Sequence, residues 1–186
     1  MGNLELFRQF LNDKRVASVV PTTQVAVRKI CKGIDFEKDN VYVEFGPGTG
    51  AFTKYILERM TPGSRLFLFE TNQMFVSNLG RNYGNSRVHI FHDSAENVRQ
   101  RLHDNGVSSV DYIVSGIPFS MLSDHSADRI ISDSCEALSE RGRFIAYQCT
   151  TYISGYMNKY FRNINVSYTL NWFLPPLRVL EGYGRI

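Results

Sequence analysis

The stretch that decides the fold of this chain is Val41-Tyr42-Val43-Glu44-Phe45-Gly46-Pro47-Gly48-Thr49-Gly50-Ala51-Phe52-Thr53. A short apolar run ends in an acidic residue, three glycines follow at alternate positions, and a helical pattern then begins. This order predicts a strand, a tight glycine-rich turn and a helix, which is the opening unit of a nucleotide-binding α/β sheet. Glycine suits the turn because it takes positive φ at little cost and lets the backbone lie against a ligand.

Apolar runs and helical patterns alternate along the next hundred residues. The runs predict strands at 41–45, 65–70, 87–91, 110–115 and 143–149, and the patterns between them predict helices at 51–60, 73–81, 95–102 and 124–139. Such alternation predicts a doubly wound, Rossmann-like parallel sheet with helices on both faces, in three layers α/β/α.

The last segment breaks this alternation. Two extended runs, 165–172 and 177–182, are separated by Leu174-Pro175-Pro176. They predict a terminal hairpin, so the last strand of a seven-stranded sheet is expected to be antiparallel to its neighbours.

Composition predicts one domain over residues 1–186, since 186 residues with 43% hydrophobic and 21% charged content are typical of one globular domain. No apolar run approaches the roughly 18 residues of a spanning helix, and no secretory signal is visible. Cys31, Cys135 and Cys149 are far apart, which predicts reduced thiols in a cytoplasmic protein. Neither the cysteines nor the four histidines have the spacing of metal ligands, so no metal is expected.

Charge is distributed unevenly. Residues 1–33 carry six basic and two acidic side chains, residues 141–186 carry six basic and one acidic, and the middle has a net charge of −6. Basic ends indicate a polyanionic partner, either an anionic membrane surface or a nucleic acid, although a chance surface pattern is the alternative.

Residues 1–40 precede the first strand and predict a helical segment. One arc of the first helix is apolar and is formed by Leu4, Leu6, Phe7, Phe10 and Leu11. The helix is expected either to cover the cofactor pocket or to lie on a membrane. Thr22 or Thr23 is expected to cap a second helix that runs through Cys31 and ends at Gly33.

The glycine turn alone leaves the ligand open, because Gly46-x-Gly48-x-x-Ala51 also satisfies the loose dinucleotide pattern. Glu44 favours a ligand with an ammonium group, since a carboxylate there would repel a pyrophosphate. Glu70 ends the second strand and is expected to accept the ribose hydroxyls, with Thr71 beside it.

The segment after the third strand, Asp93-Ser94-Ala95, has two interpretations. Asp93 could bond the exocyclic amine of adenine, and Asp93 or Ser94 could simply cap the following helix.

The pattern E-x-G-x-G-x-G resembles the first motif of class I S-adenosylmethionine-dependent methyltransferases, which share a seven-stranded sheet with an antiparallel last strand. The resemblance implies S-adenosylmethionine as cofactor and S-adenosylhomocysteine as product. The residues that it and the strand ends assign to this cofactor are Glu44, Gly46, Pro47, Gly48, Thr49, Gly50, Glu70, Thr71, Asp93, Ser94, Ala95 and Ser115.

Ser115-Gly116-Ile117-Pro118-Phe119 ends the fourth strand and looks like the N-[LI]-P-[YF] motif of adenine-N6 methyltransferases, including the ribosomal RNA dimethylases. In that family the Asn accepts a hydrogen bond from the target amine. Gly116 replaces it here, which weakens the prediction of a nucleic-acid substrate.

The chain more closely resembles the bacterial phospholipid N-methyltransferases, whose members show V-E-x-G-P-G-T-G-x-x-T, S-G-[IL]-P and L-P-P-x-R-V. The matching segments here are Val43–Thr53, Ser115–Pro118 and Leu174–Val179, and the N-terminal Phe7–Leu11 and Arg15–Pro21 resemble that family's entry segment. The resemblance implies N-methylation of phosphatidylethanolamine by a peripheral membrane enzyme. The alternatives are an rRNA or DNA adenine methyltransferase, a small-molecule methyltransferase and a cofactor-binding module without activity.

Ligands of such sheets lie outside the carboxyl ends of the strands, so Ser115, Gly116, Ile117 and Pro118 are expected to face the transferred methyl group. An ammonium acceptor must lose a proton before it reacts, and the candidate bases are Asp124, His125 and Tyr147. Aromatic faces suit a methylated cation, and the candidates are Phe119, Tyr147, Tyr152 and Tyr156. The candidate contacts for lipid phosphate are Lys159, Arg162 and Arg178.

Overall fold

The computed structural model describes residues 23–148, 150–171 and 174–186. Within these residues the chain forms one seven-stranded sheet, whose strands lie in the order β3-β2-β1-β4-β5-β7-β6. The strands are β1 (Val41–Phe45), β2 (Arg65–Glu70), β3 (Val88–His92), β4 (Val110–Ser115), β5 (Leu138–Gln148), β6 (Phe161–Asn171) and β7 (Leu174–Arg185).

Six α-helices are described. They are α1 (Gln24–Ile30), α2 (Ala51–Leu57), α3 (Gln73–Tyr83), α4 (Val98–Asp104), α5 (Asp124–Ala137) and α6 (Ser154–Tyr160). Short 3-10 helices lie at Cys31–Gly33, Ala95–Asn97 and Phe119–Met121. The oxygen of Thr23 accepts from the backbone N–H of Ala26 and caps α1, so the predicted second helix is confirmed. No helix among the described residues is long and apolar enough to cross a bilayer.

The direction of the strands matches the prediction. β1 is parallel to β2 and β4, β3 is parallel to β2, and β5 is parallel to β4. β7 is antiparallel both to β5 and to β6. The predicted doubly wound sheet with an antiparallel last strand is therefore confirmed.

Each face of the sheet carries its own apolar core, because side chains alternate along every strand. Val43 and Phe45 lie in one core, which α4, α5 and α6 cover. Tyr42 lies in the other core, which α1, α2 and α3 cover. The predicted three layers follow from these two cores.

Several predicted boundaries are wrong. Leu174-Pro175-Pro176 does not separate the last two strands, because β7 begins at Leu174, and proline is tolerated at the start of a strand. The fourth predicted helix ends at Ala137 rather than at 139, and β5 begins at Leu138 rather than at 143. The early start arises because Leu138 pairs with Val110 before the register shifts to Arg143 opposite Tyr112.

The last two strands are also longer than predicted. β6 begins at Phe161 rather than at 165, and β7 ends at Arg185 rather than at 182, because Phe161 pairs with Arg185. The remaining bounds differ by a turn or less. α2 ends at Leu57, α3 extends to Tyr83, and the predicted helix 95–102 begins as a 3-10 turn before α4. The predicted helix over residues 4–11 lies outside the described residues, as do Thr22 and Cys149. Cys31 and Cys135 are buried free thiols.

Candidate functional site

The carboxyl ends of the strands bring the predicted cofactor segments to one edge of the sheet. The N–H of Gly46 donates to the carbonyl of Phe69 at 2.9 Å, and the N–H of Gly116 donates to the carbonyl of Phe45 at 2.9 Å. The N–H of Asp93 donates to the carbonyl of Glu70 at 3.2 Å. The segments that follow β1, β3 and β4 are therefore each hydrogen-bonded to the end of a neighbouring strand at this edge.

The turn after β1 requires its glycines. Gly46, Gly48 and Gly50 have φ values of +66°, +55° and +85°, a region that strains residues with a Cβ atom. A Cβ on Gly50 would lie 2.5 Å from the ring of Tyr83, and a Cβ on Gly46 would lie 2.8 Å from Ile117. A Cβ on Gly48 would meet no atom within 4 Å, so the open side of the turn faces a space that can receive a ligand.

Pro47 and Thr49 shape this turn. The N–H of Gly50 donates to the carbonyl of Pro47 at 2.9 Å, which closes a four-residue turn that contains Thr49. Gly50 then serves as the N-cap residue of α2 without a side chain to occupy the backbone donors of the first turn. Those donors are available to a polar ligand.

Glu70 is tied to the glycine turn. One carboxylate oxygen accepts from the N–H of Gly48 at 3.1 Å, and the other accepts from the N–H of Asn72 at 2.9 Å. Burial raises the pKa of Glu70 above its usual range, although these hydrogen bonds oppose that effect. Glu70 is therefore held in place at the end of β2, where the sequence predicts a ribose contact.

Glu44 is buried, with 1% of its surface exposed. The hydroxyl of Thr53 donates to its Oε2 at 2.6 Å, whereas its Oε1 has no hydrogen-bond partner among the described residues. Burial raises the pKa of Glu44 to about 8, and the nearby charge of Glu70 adds to the rise. Buried oxygens without a partner are rare in folded proteins, so this one calls for a donor that the chain does not supply.

A second buried oxygen at the same edge also lacks a partner. Ser115 ends β4 directly beside Phe45, is fully buried, and its Oγ makes no hydrogen bond within the described part of the chain. Ser115 and Glu44 thus leave two polar atoms unsatisfied on neighbouring strands.

These features fit S-adenosylmethionine. The unpartnered oxygen of Glu44 suits a cationic ammonium group, a Cβ on Gly48 would point into open space, and Glu70 suits a ribose. That Glu44, the glycine turn and Glu70 would hold the cofactor stays a prediction.

In the segment after β3, the carboxylate of Asp93 already has hydrogen-bond donors from within the chain. The carboxylate of Asp93 accepts from the N–H of Ser94 at 2.8 Å, from the side chain of Asn97 at 2.7 Å and from Arg101 at 2.7 Å. Burial alone would raise the pKa of Asp93, but the hydrogen bonds from Asn97 and Arg101 outweigh it and hold the pKa below its usual value.

Ser94, rather than Asp93, caps the following turn, because its oxygen accepts from the N–H of Glu96 at 3.2 Å. Ala95 is buried in the core, and Thr71 is exposed with its carbonyl 3.0 Å from Nε2 of His92. An adenine contact by Asp93 stays a prediction, and a ligand there would share a carboxylate that Arg101 already binds.

Gly116 and Tyr147 fit together on the other side of the site. They are neighbours across β4 and β5, since Ser115 pairs with Ala146. A Cβ on Gly116 would collide with the hydroxyl of Tyr147 and lie 2.7 Å from its Cζ. The ring of Tyr147 stacks on Phe52, with centroids 4.6 Å apart and planes at 21°. The hydroxyl of Tyr147 thus takes the space that any side chain at position 116 would need.

Ile117 and Pro118 complete this wall. The side chain of Gln148 donates to the carbonyl of Ile117 at 3.0 Å, and Pro118 precedes the 3-10 turn that begins with the buried Phe119. Phe119 belongs to the core, so it offers no face to a ligand.

The structure does not join His125 to this wall. His125 is exposed in the first turn of α5, and the described contacts include none between it and the glycine turn or Gly116. Its neighbour Asp124 accepts from the hydroxyls of Tyr152 and Tyr156, both at 2.7 Å. Of the three candidate bases, Tyr147 is the one that the structure places against the segment after β4.

Sequence reasoning missed four residues that shape the site. Thr53 holds Glu44, Phe52 supports Tyr147, Gln148 binds the carbonyl of Ile117, and Tyr83 packs under Gly50. Thr53 belongs to the glycine motif and Gln148 to the fifth strand, but nothing in their spacing indicates these contacts.

The cavity found between α4 and α5 lies elsewhere. It has a volume of about 690 Å³ and includes Val107, Ser108 and Ser109 at the amino end of β4 in its lining. This is the end of the strand opposite to Ser115, so the cavity is separate from the candidate site. Among the described residues, no group of three or more His, Cys, Asp or Glu side chains is arranged to hold a metal ion.

We expect Glu44→Gln to change how stability depends on pH. A carboxyl whose folded pKa is raised stabilises the fold fully at low pH and loses that contribution as pH rises toward its folded value. Between about pH 5 and 8, the free energy of unfolding of the wild type should fall relative to Glu44→Gln by up to ~1.4 kcal/mol per pH unit. Denaturant unfolding across this pH range measures the difference.

Glu58→Gln serves as the matched control, because Glu58 is exposed and the substitution is the same, and it should not reproduce the effect of Glu44→Gln. Parallel curves for wild type and Glu44→Gln would show that Glu44 ionises normally, and would contradict this description of the site.

We also expect Gly116 and Tyr147 to be energetically coupled. Gly116→Ala should destabilise the protein by about 1–3 kcal/mol, because its Cβ meets a ring that Phe52 holds in place. In the background of Tyr147→Ala the same change should cost much less. A double-mutant cycle of unfolding free energies measures the coupling, and additive effects would contradict the packing described.

Comparisons with known proteins agree with this architecture. No protein-family model matches the chain. An ornithine lipid N-methyltransferase of Singulisphaera acidiphila is 29% identical over 116 residues, which are 62% of this chain and 60% of that protein. A ribosomal RNA small subunit methyltransferase H of Nitrosospira multiformis is 25% identical over 114 residues, which are 61% of this chain and 36% of that protein. The chain therefore spans less than two-thirds of the length of these relatives.

Solved structures show the same fold. A Burkholderia thailandensis 1,6-didemethyltoxoflavin-N1-methyltransferase, with S-adenosylhomocysteine bound, superposes with a TM-score of 0.70 at 13% identity, over 97% of this chain and 86% of that one. This chain has the class I S-adenosylmethionine-dependent methyltransferase fold, as its sequence predicts.

Proposed function

We propose that the protein is an S-adenosylmethionine-dependent methyltransferase that N-methylates the amine headgroup of a membrane lipid, of the phosphatidylethanolamine type, at a membrane surface. The observation that carries the proposal is the unpartnered buried oxygen of Glu44 at the sheet edge that also carries the open glycine turn and the wall of Gly116 and Tyr147.

Glu44 and Glu70 divide the binding of the cofactor. Glu44 would pair with its ammonium group, and Glu70, held by Gly48 and Asn72, would accept from its ribose. When bound, S-adenosylmethionine supplies a methyl group that its positive sulfur already activates. The protein therefore needs mainly to orient the acceptor and to exclude water.

Tyr147 and the segment Ser115–Pro118 would orient the acceptor. The hydroxyl of Tyr147 lies over Gly116 and can accept a hydrogen bond from an amine, or receive its proton at the start of a relay to water. The partial exposure of Gly116, Ile117 and Tyr147 gives an acceptor access from solvent.

Two observations support a lipid amine over a nucleic-acid base. The ornithine lipid N-methyltransferase is similar over most of the chain, and Gly116 stands where the adenine-N6 motif has its amide. The net positive charge of the ends suits an anionic membrane surface and RNA alike, so it does not decide between them. The similarity to the ribosomal RNA methyltransferase makes RNA the rival acceptor to be tested.

We expect the full chain to transfer a labelled methyl group from S-adenosylmethionine to lipid amines. The acceptors compared are vesicles of phosphatidylethanolamine with phosphatidylglycerol, vesicles with ornithine lipid in its place, and ribosomal RNA. Label should enter the lipid fraction and remain there on chromatography, whereas RNA should acquire none above the level without enzyme.

Glu70→Ala is the control for the cofactor site, and it should lose cofactor affinity while its far-ultraviolet circular dichroism stays that of the wild type. Methylation of RNA without methylation of either lipid would overturn the proposed substrate. Equal affinity of Glu70→Ala and wild type would remove Glu70 from the cofactor site.

A further inference from the structure

A row of three side chains crosses the carboxyl edge of the sheet, beginning beside the candidate acceptor wall. Gln148 of β5 pairs with Arg178 of β7, and Arg178 pairs with Tyr168 of β6. The side chain of Gln148 also binds the carbonyl of Ile117 at 3.0 Å. We call Gln148, Arg178 and Tyr168 the edge row.

The direction of the last two strands explains why this row lies at the functional edge. β7 runs antiparallel to β5, and β6 runs antiparallel to β7, so β6 has the direction of β5. The carboxyl half of β6, with Tyr168, and the start of β7, with Arg178, therefore lie at the same edge as the ends of β1 and β4.

Arg178 is supported by the ring of Tyr168. Its Cζ lies 5.8 Å from the ring centroid, within the range of a cation–π contact. Tyr168 is 53% exposed and Arg178 is half-buried, so the pair borders solvent. An arginine held on an aromatic face is pre-organised to bind an anion, because less side-chain freedom is lost on binding.

Arg178 differs in position from Lys159 and Arg162, the other two side chains that the sequence suggests as contacts for a lipid phosphate. Lys159 forms an ion pair with Asp128 at 2.8 Å and lies over the ring of Tyr156. Arg162 is the second residue of β6, next to Phe161, which pairs with Arg185 at the opposite edge of the sheet. Arg178 alone among these three lies at the carboxyl edge.

Arg178 and Tyr147 lie on opposite faces of the sheet at this edge. Leu180 belongs to the core under α5 and Val179 to the core under α2, so alternation places Arg178 on the face of Leu180. Tyr147 pairs with Val179 and lies on the other face. A ligand that reaches both would lie across the ends of the strands, where ligands of such sheets bind.

We propose that Arg178, supported by Tyr168, binds the anionic group of the same acceptor molecule whose amine lies at Gly116 and Tyr147. Ile117 and Arg178 are two strand spacings apart, so their backbones are separated by about 10 Å. The long side chain of Arg178 reduces the distance that a ligand between them must span. The preferred acceptor would therefore be a zwitterion in which a few bonds separate the amine from a phosphodiester or a carboxylate. Arginine binds both anions through paired hydrogen bonds. This inference rests on the proposed lipid amine methylation.

The test compares Arg178→Gln with Arg162→Gln as the matched control on the same pair of strands. Methyl transfer is measured on phosphatidylethanolamine and on ornithine lipid, each in vesicles with phosphatidylglycerol. Arg178→Gln should raise the KM for the lipid at least tenfold, while Arg162→Gln keeps the KM of the wild type. Arg178→Lys should fall between them, because lysine keeps the charge but not the planar fork.

Three further readouts separate this role from a structural one. Affinity for S-adenosylmethionine, the melting temperature and co-flotation with phosphatidylglycerol vesicles should be the same in Arg178→Gln and wild type. A larger effect on phosphatidylethanolamine would support a phosphodiester as the bound anion, and a larger effect on ornithine lipid would support a carboxylate.

An unchanged KM in Arg178→Gln would overturn the inference and leave the proposed lipid methylation standing. The inference would also be overturned if Arg178→Gln lost vesicle binding to the same extent as activity. Arg178 would then contact the membrane surface in general rather than the acceptor. A wild type that methylates neither lipid would overturn both proposals.

Discussion

The proposed cofactor site depends on Glu44, a carboxylate that the fold buries with a hydrogen bond from the described residues to only one of its two oxygens. Glu44 is the penultimate residue of β1 and lies on the face covered by α2, where Thr53 donates to one oxygen and no described group donates to the other. Burial favours the neutral form, and the charge of Glu70 across the glycine turn favours it further. Such a group weakens the fold at neutral pH unless a cation binds beside it, which is the behaviour expected of a residue in a binding site. The glycine turn that follows β1 also has an open side, because a Cβ on Gly48 would point into open space.

In the proposed function, one sheet edge holds both the cofactor-binding residues and the residues that recognise the acceptor. β1 and β2 supply the acidic side chains that suit the cofactor, and β4 and β5 supply a wall in which Gly116 makes room for Tyr147. The terminal hairpin contributes the proposed anion site because of its direction. Since β7 is antiparallel, the start of that strand and the end of β6 both lie at this edge, which places Arg178 and Tyr168 beside the candidate site. Each part has a different charge: carboxylates for a cation, a hydroxyl for an amine, and a guanidinium for an anion.

Much of this arrangement was predictable from sequence because it is local. The strand, glycine turn and acid at 41–50, the acid that ends β2, and the segment after β4 all follow from short patterns that parallel sheets bring to one edge. What sequence missed is set by contacts between distant positions. Tyr147 and Gly116 are 31 residues apart, and only the register of β4 with β5 makes them neighbours. The same holds for Gln148 with Ile117. The early start of β5 and the prolines inside β7 were missed because pairing with neighbouring strands decided both.

The most direct test of the role of Glu44 is the number of protons released when S-adenosylmethionine binds. Calorimetry at pH 7 in buffers of different ionisation enthalpy measures it. Because the pKa of Glu44 is about 8 in the unliganded protein, a bound ammonium group should drive its ionisation, and nearly one proton should be released per cofactor bound. In Glu44→Gln the release should fall to near zero. Tight binding with no proton released by the wild type would contradict the account, because Glu44 would then be either already ionised or not in contact with the cofactor.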